Sequence, residues 1–139
     1  IKEMGVVLLT ALILTSCGIF NKISAPKYDS NAYQTAVTAD SIMNILYTGL
    51  ATGSTLDYNS SAPTYENVES IINGKIASDS LRKYPTQILQ IDRTYLEVVE
   101  SSRADHQRDG NISKNHINVN GALLNQIGNI LVNTEKNYK

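Results

Sequence analysis

The sequence predicts an all-α body, an antiparallel up-down bundle of about four helices, behind a separate N-terminal segment. Apolar residues return at alternating intervals of three and four along four stretches, the period of a helix with one buried face. Cap-forming residues stand in front of several of these stretches, and short polar connections separate them. No run alternates long enough for a strand, and no long-period repeat is present.

Composition narrows the function classes. The chain has 139 residues, the size of one domain. Twelve basic residues stand against thirteen acidic ones, a net charge of −1 without the basic footprint of a nucleic-acid binder. Apolar residues make up 42 %, with no Trp, one Phe and eight Tyr, so the expected core is aliphatic with tyrosine at its rim. The single cysteine excludes an internal disulfide, leaving packing to hold the fold.

The first helix is expected over 30–49. Asp29 is its N-cap, and Tyr28 and Tyr33 fall at the positions of a hydrophobic staple. Ala32, Ala36, Ala39, Met43, Leu46 and Leu50 form its stripe, with Gly49 and Gly53 suited to ending it. A polar loop follows to Ala62, and Pro63 is expected to open a second helix over 63–78, since its missing N–H would be unpaired at a first turn. Tyr65, Val68, Ile72 and Ile76 are its stripe, weakened by Gly74. Leu81, Tyr84, Ile88, Ile91, Tyr95, Val98 and Ser102 keep the rhythm through Pro85. A fresh helix over 82–107, with Pro85 in its first turn, is favoured over one long kinked helix, because an interior proline costs about 3 kcal/mol. The last helix, 114–137, follows an Ser113 cap and an Ile112–Ile117 staple. Its stripe runs through Asn120, Leu124, Ile127, Leu131, Thr134 and Tyr138, and Gly121 and Gly128 mark possible close backbone approach.

Ahead of the body, Val6 to Leu14 is apolar apart from Thr10 and well short of the roughly 20 residues a membrane-spanning helix needs. It reads as the core of an export signal, with Lys2 as a weak basic region before it and an N-terminus that reads as incomplete. Leu14-Thr15-Ser16-Cys17-Gly18 resembles the lipobox of bacterial lipoproteins. That resemblance implies removal of 1–16 as a lipoprotein signal peptide, lipidation of Cys17, and residues 17–28 as a tether to a bundle over 29–139. Several acyl chains on one cysteine would hold the domain stably on a membrane, where a single chain would not. The lipobox, the Tyr28-Asp29 helix opening and the Ile112-Ser113 step together resemble small lipoproteins of Bacteroidetes-type bacteria, which implies a helical body and no particular chemistry.

Few residues suggest a site. Asp105 to His116 can be laid on a twelve-residue calcium loop, with Asp105, Gln107, Asp109, Asn111 and Ser113 as oxygen donors and Gly110 at the sharp turn. His116 stands where a bidentate Glu belongs and Arg108 adds positive charge, so a plain interhelical turn is the stronger expectation and any calcium site would be weak. His106 and His116 match no common zinc spacing and read as solvated turn residues. Glu66 with Glu69, and Glu97 with Glu100, read as solvated faces beside arginines. No phosphate cradle or nucleophile–base pairing is recognisable, and no cofactor is expected. The expectation is a non-enzymatic lipoprotein of the cell envelope, on the outer membrane facing the periplasm, anchored through Cys17 and acting through a protein partner.

Overall fold

The computed structural model describes residues 25–53 and 56–139. Four helices follow in order, α1 (Ser30–Ala51), α2 (Tyr58–Asp79), α3 (Thr86–Asp109) and α4 (Lys114–Asn137). Each packs on its neighbours in sequence, and α1 closes the ring against α4. The body is therefore the up-down four-helix bundle that the periodicity predicts. The expected signal peptide, Cys17 and the first part of the tether lie outside the described residues.

The caps explain most of the boundaries. Asp29 accepts from the backbone N–H of Asn31 at 2.8 Å and of Ala32 at 3.1 Å, which satisfies two of the unpaired donors at the start of α1. The Tyr28 and Tyr33 rings lie 6.3 Å apart across that first turn. Gly53, at φ +82°, follows the C-terminus of α1 in a conformation that glycine adopts without a Cβ penalty. Ser113 accepts from the His116 N–H at 3.2 Å and opens α4.

Two boundaries differ from expectation. The second helix begins at Tyr58 rather than Pro63, because the Asp57 carboxylate accepts from the Ser60 N–H at 3.1 Å and caps the helix earlier. Pro63 consequently lies inside α2 as its sixth residue, where it forgoes the backbone bond an N–H would make to the Asn59 carbonyl, and the helix continues past it. Tyr84-Pro85 separates two helices, as favoured, but α3 starts at Thr86 rather than near 82. The intervening turn is tight, and Tyr84 takes φ +58°, a left-handed conformation costly for a bulky side chain.

The core is aliphatic and runs the length of the bundle. Ala36, Ala39 and Met43 of α1 meet Val68 and Ile72 of α2, Ile88, Ile91 and Val98 of α3, and Leu124, Ile127 and Leu131 of α4 in one buried cluster. At the distal end, where α1 and α3 finish, the two connections bond to each other. Tyr58 donates its N–H to the Gly110 carbonyl at 2.8 Å, and Ile112 donates to the Leu56 carbonyl at 3.1 Å. At the proximal end the incoming chain is fixed to the body: Pro26 is buried, and Arg82 donates through Nη2 to the Lys27 carbonyl at 2.7 Å. Residues 25–28 are thus part of the folded body rather than a free tether.

Gly128 marks the closest approach between α1 and α4. A Cβ built there would overlap the carboxylate of Asp40, whose Oδ1 is buried with no hydrogen-bond partner among the described residues. Asn44 donates to the other oxygen at 3.1 Å. Substituting Gly128→Ala is expected to lower stability by about 1–3 kcal/mol through overpacking. The double variant Asp40→Ala/Gly128→Ala should recover most of that loss in a denaturant melt; equal loss in both would place the strain elsewhere.

Candidate functional site

The most unusual feature of the bundle is a buried ion cluster at its proximal end. Lys75 of α2 is one full turn beyond Ile71 and Ile72, on the inward face, and its side chain is almost inaccessible. The Nζ donates to Asp79 at 2.5 Å, to Glu135 of α4 at 2.7 Å and to Asp92 of α3 at 2.8 Å. An ammonium has three protons, and here three carboxylates from three helices accept them. Arg82, in the turn after α2, adds Nη1 contacts to Asp79 at 3.0 Å and to Glu135 at 2.9 and 3.0 Å. Its guanidinium also lies 5.5 Å from the centre of the Tyr138 ring.

Two cations thus face three carboxylates. Burial pushes the Asp92 carboxyl up from the ordinary 3.8 to about 7, against the opposing pull of Lys75 and with the help of a hydrogen bond to Asp79. Asp92 Oδ2 is buried with no hydrogen-bond partner among the described residues, so that side of the carboxyl is desolvated without compensation. Asp79 experiences the same burial, but its hydrogen bonds to Lys75, Asp92 and Arg82 outweigh it and hold its carboxyl below the ordinary range. Lys75 is desolvated too, and the charges of Asp92 and Glu135 outweigh that to raise it. With one proton on Asp92 the cluster is neutral overall, two positive against two negative.

No motif or cap in the sequence marks Lys75, Asp92 or Glu135. The available signal is a charge at a stripe position: Lys75 follows Val68 and Ile72 at seven and three residues, Asp92 follows Ile88 at four, and Glu135 follows Leu131 at four.

A second buried polar chain crosses the distal half. His106 is 0 % exposed, and its Nε2 lies 2.7 Å from the Leu56 carbonyl, which can only accept, so that nitrogen is the donor. Nδ1 lies 3.2 Å from the Tyr65 hydroxyl, which in turn lies 2.9 Å from that of Tyr47. Burial raises the pKa of both phenols, so each stays protonated as a donor. The Tyr58 ring stacks over Tyr65 and meets His106 edge-on. Arg103 closes the outside, donating to Tyr58 Oη at 2.9 Å and pairing with Glu69 at 2.7 Å and Glu66 at 2.9 Å. His106 is therefore a core residue that ties the α1–α2 connection to α3, which corrects its reading as a solvated turn histidine.

The Asp105–His116 segment takes a different shape from a calcium loop. Asp105, Gln107 and Asp109 lie on the last turns of α3, and only Gly110 to Ser113 form the turn, with Gly110 at φ +71°. Asp105 accepts from Arg108 at 2.8 Å and from Asn120 at 3.2 Å. Asp109 lies 2.6 Å from His116 Nδ1 and accepts from the Ser113 N–H, and its carboxyl is lowered chiefly by His116. Gln107 is exposed, Asn111 bridges to Asp57, and the Ser113 hydroxyl is occupied by its cap. A cation at this turn would compete with those partners for the same oxygens. No group of three or more His, Cys, Asp or Glu side chains gathers in metal-holding geometry among the described residues.

Along the outside, Val37, Asp40, Asn44, Ile45 and Val132 line a shallow groove between α1 and α4. Among the described residues no helix is long and apolar enough to cross a membrane. No family model, curated protein or solved structure matches the chain.

The proton on Asp92 fixes a pH dependence. Because its folded pKa is raised, the folded state holds that proton more tightly, and the stability it contributes is present below the ordinary 3.8 and lost as pH rises towards about 7. Asp79 acts with the opposite sign: its contribution is present above 3.8 and lost as pH falls through its lowered value. Asp92→Asn keeps the protonated shape without the titration. The parent chain's melting temperature should therefore fall relative to that of Asp92→Asn from about pH 5 to about pH 8; a parent that gains on the variant over that range would contradict the assignment.

Proposed function

We propose that this chain is a bacterial lipoprotein, held on a membrane through acylated Cys17 and serving as a non-enzymatic interaction component of the cell envelope. The observation that carries the reading is the order of signals in the sequence: a basic residue, an apolar run, then Leu14-Thr15-Ser16-Cys17, then a helical body that begins within a dozen residues. The body supports it in two respects. It buries its apolar stripes within one bundle, and its polar clusters are engaged with one another rather than turned towards a shared cleft. Outer-membrane placement facing the periplasm, and a protein partner, belong to the same proposal.

Expression in a bacterium with labelled palmitate tests it. The parent chain should incorporate label and yield a mature mass that starts at acylated Cys17, whereas Cys17→Ser should do neither. A mature parent chain with a bare thiol and its leader attached would sink the proposal.

A further inference from the structure

The proximal end of the bundle carries side chains that its fold does not use. Leu81 is 88 % exposed and Tyr84 is 48 % exposed, both on the six-residue connection from Ser80 to Pro85. Tyr84 is also held at φ +58°, a conformation a glycine or asparagine would take at lower cost. A large apolar side chain and a strained aromatic one are therefore exposed on one turn, left uncovered by the described residues.

Lysines share that end of the bundle. Lys27, Lys83, Lys136 and Lys139 are all exposed at this end, where α1 begins, α2 ends, α3 begins and α4 ends. Lys83 lies over the Tyr84 ring at 5.1 Å, and Lys139 over the Tyr28 ring at 5.7 Å. The acidic residues of this end are occupied: Asp79 and Glu135 are buried in the ion cluster, and Asp29 caps α1. Exposed charge at this tip is thus mostly positive, with the half-buried Asp29 carboxylate the exception, although the whole chain is nearly neutral.

Among the described residues, the segment preceding α1 meets the body here. Arg82 grips the Lys27 carbonyl, and Pro26 is buried beside it. Gly18 to Ala25 separate Cys17 from Pro26, a length that spans at most about 30 Å.

From this juxtaposition we infer that the proximal tip is a membrane-contacting surface, fitted to a bilayer carrying anionic headgroups. Leu81 enters the headgroup boundary, the Tyr84 and Tyr28 rings sit at its level, and the lysines meet lipid phosphates. The bundle axis then stands away from the membrane, presenting the distal end with its Arg103 and Arg108 ion pairs to the aqueous side. This rests on the anchoring reading for its location, and the test below separates the two.

The chain has no Trp, so a single introduced indole reports its own surroundings. Full-length chains carrying Leu81→Trp, or Gln107→Trp at the distal end, are added to phosphatidylglycerol-containing vesicles with brominated acyl chains, and the mass at Cys17 is recorded in parallel. The expected result is a blue shift and bromine quenching for Leu81→Trp, neither for Gln107→Trp, and loss of both on combining Leu81→Trp with Lys83→Glu and Lys136→Glu. Emission of Leu81→Trp that vesicles leave unchanged overturns the inference, and so does equal quenching at both ends. A blue shift of Leu81→Trp that grows with protein concentration in the absence of lipid also overturns it, assigning the tip to a second copy of the chain. The Cys17 mass reads anchoring alone: acylated Cys17 with an unquenched tip leaves the anchor standing without the contact surface, and a bare thiol with a quenched tip does the reverse.

Discussion

The Lys75 ammonium is the constraint around which the proximal half of this bundle is organised. It is out of water, and its three protons go to carboxylates on α2, α3 and α4. Desolvating an ammonium costs several kcal/mol, and its counter-charges offset that only with close geometry and every remaining lone pair placed. Removing one partner from such an arrangement typically costs about 3–5 kcal/mol, whereas a wholly apolar replacement is often neutral. A buried cluster of this kind is therefore weak evidence for net stability, and its distinctive demand is geometric. It accepts one rotation and one register of three helices, a choice that small and aliphatic stripes leave loose.

The same cluster explains how the incoming chain is held. Arg82 completes the charge balance with Nη1 and spends Nη2 on the Lys27 carbonyl, so the buried ions and the chain preceding α1 share one side chain. At the other end a neutral chain of hydroxyls and imidazole, Tyr47–Tyr65–His106, does comparable work on the α1–α2 connection. The polar groups buried at the two ends thus differ in chemistry, ionic near the chain's arrival and neutral away from it, where the ion pairs lie outside.

The helices were legible because their signals are local. Asp29 and Ser113 announce their caps in the sequence, and the alanine-to-leucine stripe of α1 is buried along almost all its length. Pro63 misled because proline is favoured at a first turn, and Asp57, a stronger capping residue six positions upstream, took the role instead. The buried ions were hidden for a different reason. Lys75, Asp92 and Glu135 are far apart in sequence, and each one alone at a stripe edge reads as a long polar side chain reaching to water. Only their meeting in space distinguishes them. His106 was masked by its neighbours, since Asp105, Gln107 and Arg108 make its surroundings look like a solvated turn while the helix carries it inward.

Nuclear magnetic resonance of the Lys75 side chain tests the central claim most directly. With the ammonium buried among Asp79, Asp92 and Glu135, its Nζ protons should exchange slowly with water at neutral pH and show couplings to three carboxyl carbons. An ammonium that exchanges as fast as those of Lys83 and Lys136, with no carboxyl coupling, would contradict the account.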